Sequence, residues 1–321
     1  MRHAPDAARH DPPTDPEPNL LPGSRQSLIA TGVGRLMLYS GGTDPGDDAP
    51  VVLLLHSINA AACAAEMRPV FERLGPWSHR YALDLPGYGA SDRTQRIFDI
   101  ATFVEAVRAV TEHLSQRHGG RRIHLLALSL SCEFAARVAV RVPERVSSLG
   151  LISPTGLDRR SEALRGLEGA SREVPGMLPL LRLPGLRALL FRALVSRSSM
   201  RYFLQRTWGS PAIDETLLEA CWQSAHRPDA LHAPLSFLSG RLFARDIRTI
   251  YEALACPVWL AHGVRGDFKD YSGADWTAQR SHWQRQVFDA GAMPHFEHPE
   301  AFMAAYRRFL GVDDRGRAAI C

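Results

Sequence analysis

The segment RIHLLALSLSCEFAARVAVRVPERV, residues 122–146, limits the possible folds of this chain more than any other. Ile123 to Leu128 is a short apolar run bounded by basic residues, the pattern of a buried strand. Beyond Glu133 the apolar residues Phe134, Val138 and Val142 recur at helical spacing, and Pro143 stops the helix. Only Leu128-Ser129-Leu130-Ser131 lies between, so strand and helix meet at a sharp turn. A serine on such a turn stands clear of the backbone at the rim of a sheet. The helix start beneath it offers unpaired N–H groups and a positive dipole end. Two readings fit Ser129: an activated nucleophile or an ordinary N-cap.

The remaining chain reads as alternating strands and helices. Ser27 to Tyr39 and Val51 to His56 have strand character, and VVLLLH is continuously apolar, as a strand covered on both faces must be. A helix follows near Glu66 to Leu74, then a strand over Tyr81 to Leu85. Phe98 to His118 is amphipathic, with Phe103, Val107, Val110 and Leu114 on one face. Ser148 to Ser153 is a further strand. Between about Thr155 and Leu254 no strand pattern appears, and helices are expected near Gly185 to Gln205 and Asp214 to His226. Strand rhythm returns over Pro257 to His262 and near Trp283 to Asp289, ahead of a last helix, Pro299 to Leu310. This order predicts an α/β fold: a doubly wound, mostly parallel sheet with a helical lid inserted after the sixth strand. The expected organisation is a tail over 1–26, a core over 27–154 and 255–311, a lid over 155–254 and a second tail over 312–321.

Composition narrows the function. The 321 residues are 45% hydrophobic with a net charge of +4, and the arginines are scattered, which argues against a nucleic-acid site. The five cysteines (Cys63, Cys132, Cys221, Cys256, Cys321) are dispersed, with no C-x-x-C pair to suggest a zinc site or disulfide framework. They read as reduced thiols of a cytoplasmic protein. The proline-rich, charged first 26 residues lack the apolar core of a secretory signal and are expected to be disordered.

Three strings now align: VVLLLHSIN, ALDLPGYGASDR and LLALSLSCEFAARVA. Together they resemble the α/β-hydrolase superfamily, in its small lid-bearing serine hydrolase form, over roughly Ser27 to Leu310. The resemblance implies that Asp84 to Ser91 shapes the loop beside the site and that Ser129 is the nucleophile. It implies oxyanion donors in the N–H groups of Ile58 and Leu130, and an acid at Asp267, with Asp270 as the alternative. No metal or organic cofactor is implied. The base is irregular. The family's histidine would follow Gly291, where this chain has Ala292, and His295 lies three residues further on. His295 is the expected base, with His262 or His56 as substitutes. The elbow also departs from G-x-S-x-G, reading Ala127-Leu128-Ser129-Leu130-Ser131, and Ser57 stands where a glycine is usual. A carboxylate nucleophile, as in hydrolytic dehalogenases of this fold, is excluded by Ser129.

The expected reaction is cleavage of an ester, thioester or similar acyl bond of a small hydrophobic substrate. Two competitors remain: a catalytically impaired binding or regulatory protein, motivated by Ala292, and cofactor-free lyase or peroxidase-like chemistry on the same scaffold. The leucine-rich stretch MLPLLRLPGLRALLFRALV, residues 177–195, allows three readings: an apolar cap over the substrate, a helix lying on a membrane surface, or helices packed on the core with snorkelling arginines. Trp208, Trp222, Phe237 and Phe243 either line the pocket or fill it. Glu133 reads as a first-turn residue favoured by the helix dipole.

Overall fold

Val51–Leu55 is buried at all five positions, because this strand runs through the middle of the sheet with helices on both faces. The computed structural model describes residues 20–75, 77–95, 97–162 and 171–312. The expected terminal tails fall largely outside these residues.

Eight strands form one sheet: β1 (Arg25–Thr31), β2 (Gly34–Ser40), β3 (Val51–Leu55), β4 (His79–Leu83), β5 (Ile123–Leu128), β6 (Val146–Ile152), β7 (Val258–Gly263) and β8 (Trp283–Phe288). Their spatial order is β1-β2-β4-β3-β5-β6-β7-β8. β2 runs antiparallel to β1 and β4, and all other pairs are parallel. The stretch Ser27 to Tyr39, read as strand, is thus parts of two strands. The chain reverses over Gly32-Val33 and enters β2 at Gly34, whose φ of 118° only glycine adopts easily.

The helices are α1 (Arg68–Arg73), α2 (Ile100–Arg117), α3 (Ser131–Arg141), α4 (Arg159–Glu162), α5 (Met177–Leu181), α6 (Leu186–Leu194), α7 (Arg197–Trp208), α8 (Glu215–Ala225), α9 (His232–Leu238), α10 (Ile247–Glu252), α11 (Pro294–Glu297) and α12 (Pro299–Leu310). The single helix expected over Gly185 to Gln205 is broken. Ser196 leaves helical geometry and caps α7 by accepting from the Ser199 N–H. Helices α4 to α10 all lie between β6 and β7 in sequence. Among the described residues no helix is long and apolar enough to cross a membrane.

Buried side chains form one layer on each face of the sheet. From β3 the chain passes to β4 on one side and later to β5 on the other, so the strand order reverses between β3 and β5. Loops after these two strands flank a crevice at the carboxyl edge of the sheet, where ligands bind in open α/β sheets.

Candidate active site

The turn after β5 delivers Ser129 into that crevice. Its φ is 56°, a left-handed conformation rare for a non-glycine residue. The Ser129 N–H donates to the Ile152 carbonyl at 2.8 Å, tying the turn to the end of β6. Ser131, in place of an elbow glycine, donates its hydroxyl to the His56 carbonyl and so joins the turn to the loop after β3. The Ser129 hydroxyl has no hydrogen-bond partner among the described residues, so it does not act as a side-chain cap of α3.

Ser129 lines a cavity of about 140 Å³. Ile58 and Leu130 flank it, and neither backbone N–H has an acceptor among the described residues. Leu204, Phe237, Phe243 and Phe268 supply apolar walls, while Ser57, Asn59, Glu66, Ser153, Thr155 and Thr207 supply polar ones. Of the four aromatic candidates in the helical segment, Phe237 and Phe243 line the cavity. Trp208 packs on Phe296, and Trp222 lies under the Arg197 guanidinium.

Two buried carboxylates hold the surrounding loops. Asp84 accepts from the Tyr39 hydroxyl and from the N–H groups of Ala64 and Ala90, each at 2.8 Å. Gly89 packs on this carboxylate so closely that a Cβ there would lie 1.9 Å from it, which accounts for the glycine in the DLPGYG string. Glu66 accepts from the Ser57 N–H at 2.7 Å and the Asn59 amide at 2.9 Å, fixing the loop that carries Ile58. The role of Glu66 is invisible in its local sequence, because its partners are set by how the loop folds back. Glu133, one turn into α3, accepts from the Thr155 hydroxyl at 2.5 Å and the Ala244 N–H at 3.1 Å. Burial pushes its carboxyl up to about 7.

No histidine lines the cavity among the described residues. Ala292 does, and its N–H donates to the Thr207 carbonyl at 2.9 Å. His295 is fully buried, with its Nε2 donating to the Glu66 carbonyl at 2.8 Å. Its Nδ1 is buried without a partner among the described residues, and desolvation lowers its pKa to about 4. Asp267 forms a two-point ion pair with Arg206 of α7, at 2.5 and 2.8 Å. The structure therefore does not bring Ser129, His295 and Asp267 together by hydrogen bonds. The alternative acid, Asp270, accepts from Ser272 and the Arg159 N–H. The two substitute histidines are also engaged. His56 bridges the Ser57 carbonyl and the Leu85 N–H, and His262 bridges the Gly263 carbonyl and the Arg285 guanidinium.

The cause of this arrangement is the seat of α7. A Cβ on Gly291 would lie 2.4 Å from the carbonyl oxygens of Thr207 and Trp208, and one on Gly209 would lie 2.4 Å from the Gly266 nitrogen. The end of α7 thus presses on the loop after β7 and the loop after β8 together. Arg206 takes the Asp267 carboxylate from above.

An eight-stranded, mostly parallel sheet with flanking helices and Ser129 on a tight strand-to-helix turn matches the α/β-hydrolase fold. A family model described as "Alpha/beta hydrolase family" matches residues 52–305, and the chain belongs to that family. A serine hydrolase involved in carbazole degradation superposes with a TM-score of 0.69 at 15% identity, covering 90% of this chain and 99% of that one. The 2-hydroxy-6-oxo-6-phenylhexa-2,4-dienoate hydrolase from Rhodococcus sp. strain RHA1 superposes at 0.67 with 18% identity, covering 89% and 98%. A carboxylesterase from Bacillus subtilis does so at 0.63 with 18% identity, covering 91% and 93%. In sequence, the dihydrolipoyllysine-residue acetyltransferase component of the acetoin cleaving system of Pseudomonas putida is 34% identical over 108 residues. That match takes in 34% of this chain and 24% of the relative's length. The family and these structural neighbours are hydrolytic enzymes.

Proposed function

We propose that this chain is a serine hydrolase that opens an ester, thioester or similar activated acyl bond of a small hydrophobic molecule. One observation carries the reading: among the described residues the Ser129 hydroxyl has no partner on its left-handed turn, in a cavity flanked by N–H groups of Ile58 and Leu130 that have no acceptor there either. Ser129 would attack the acyl carbon, and the two N–H groups would hold the oxyanion, a role that needs main-chain geometry rather than particular side chains. The cavity, at about 140 Å³, suits a short acyl chain or a single ring, since an engineered cavity of roughly 150 Å³ holds benzene. We assign the protein to the cytoplasm on its free cysteines, of which Cys63, Cys132 and Cys221 are buried.

The proton acceptor sets the rate. In a Ser-His-Asp triad, His295 must leave the Glu66 carbonyl and Asp267 must leave Arg206. Without that rearrangement, oxyanion binding alone leaves roughly 10³–10⁴ over water. A second reading, a binding protein on a hydrolase scaffold, draws on Ala292 and on the engagement of both triad partners.

A fluorophosphonate probe separates the readings. Labelling of the wild type that disappears in Ser129→Ala supports the nucleophile. Loss in His295→Ala as well, with unchanged thermal stability, assigns His295 as base. An unlabelled wild type favours the binding protein.

A further inference from the structure

We propose that the α5–α6 segment docks this protein onto an anionic phospholipid surface. The segment exposes an unusual run of leucines. Leu180, Leu183, Leu186 and Leu189 recur every three residues and all stand out to solvent, Leu189 at 67% exposure. Helix α6 has no buried residue at all. Such a patch is costly on a surface that faces only water.

Charge decides what covers it. From Val174 to Arg201 the sequence holds five arginines and no aspartate or glutamate. The arginines divide sharply. On α7, Arg197, Arg201 and Arg206 are each paired, with Glu219, Glu215 and Asp267. On the α5–α6 segment, Arg182, Arg187 and Arg192 have no carboxylate partner among the described residues. Three guanidiniums without a described counter-charge, interleaved with projecting leucines, match the chemistry of an anionic bilayer surface. The leucines would enter the acyl boundary while the arginines meet lipid phosphates. A protein partner of ordinary composition would call for aromatic anchors at the centre of the patch. The one aromatic residue of α5 and α6, Phe191, instead packs inward on the core.

The surface is independent of the acyl chemistry. Helix α6 touches α7, which contributes Leu204 and Thr207 to the cavity wall, so docking would bring the lipid phase near the Ser129 cavity.

The test is flotation of the full chain with vesicles of phosphatidylcholine and phosphatidylglycerol, beside vesicles of phosphatidylcholine alone. Binding is expected only to the anionic vesicles and should weaken with added salt. Leu186→Glu/Leu189→Glu should abolish it. Arg187→Glu/Arg192→Glu should lower partitioning at least 25-fold, roughly fivefold for each arginine lost. Thermal midpoints report whether the variants fold, and the arginine pair decides if the leucine pair does not. Failure of the wild type to float with anionic vesicles overturns the proposal, as does equal binding to neutral ones. So does a concentration-dependent dimer in sedimentation velocity that the leucine variant abolishes, which would identify a second copy as the occupant.

Discussion

Under the proposed hydrolase reading, Ala292 is the position on which the chemistry turns. It faces the cavity beside Ser129, yet it cannot accept a proton. A serine hydroxyl needs a base at neutral pH, and general-base catalysis contributes about 10²–10⁴-fold. Ala292→His should therefore raise hydrolysis of a short p-nitrophenyl ester by at least tenfold. The same substitution combined with Arg206→Ala should raise it further, because freeing Asp267 from its guanidinium lets the carboxylate orient the new imidazole. Stopped or steady-state release of p-nitrophenol reads both. A double variant no faster than wild type, with Ser129 still labelled by the probe, would mean that the cavity lacks room for the ring or that Asp267 cannot reach it.

Loops around the cavity are set by buried carboxylates, and this sets their sensitivity to mutation. Asp84 satisfies three donors from three separate segments, so Asp84→Ala strands two fully buried donors, the Tyr39 hydroxyl and the Ala64 N–H, and a half-buried one at Ala90. Each buried unsatisfied donor costs about 1–3 kcal/mol, so a loss of roughly 3 kcal/mol or more is expected in urea unfolding. Asp92→Ala, on an exposed pair with Arg35, should change little by comparison. The same contrast explains what the sequence reveals and what it hides. The buried strand β3 is a continuous apolar run, β5 is apolar except at His124, and α12 begins and ends at its expected residues, because local pattern dictates all three. The Ser129 turn was legible because strand, turn and helix adjoin in the chain. The surroundings of the base were not. They depend on the end of α7 seating against loops about 57 to 84 positions away, through close approaches at Gly209 and Gly291 and the Arg206–Asp267 pair. The break at Ser196 was hidden for a related reason: a capping serine in a leucine-rich run looks like any other helical serine until its neighbours are known.

Taken together, the two core layers bury titratable groups whose demands oppose one another, and this sets how stability responds to acid. His295 is fully buried with its pKa lowered from 6.5 to about 4, and His124 is lowered to about 4 as well, both chiefly by desolvation. Between these values the unfolded chain binds more protons than the native one. The histidines thus contribute stability above pH 6.5 that is lost as pH falls through 4. For His295 alone the loss amounts to about 3 kcal/mol. Glu133 works in the other direction. Its carboxyl is raised from 4.5 to about 7, so its contribution is present below pH 4.5 and declines as pH rises through 7. His118 and His262 are lowered as well, chiefly by desolvation, so four lowered histidines against one raised carboxyl predict a net fall in stability from pH 6.5 to 4. His295→Gln separates the contributions, because the amide can still donate to the Glu66 carbonyl but does not titrate. Urea midpoints at pH 7.5, 5.5 and 4.5 should fall steeply for the wild type and more gently for His295→Gln. A variant that keeps the full wild-type slope would show that His295 is not held neutral by its burial, and would reopen the case for an imidazole that moves toward Ser129.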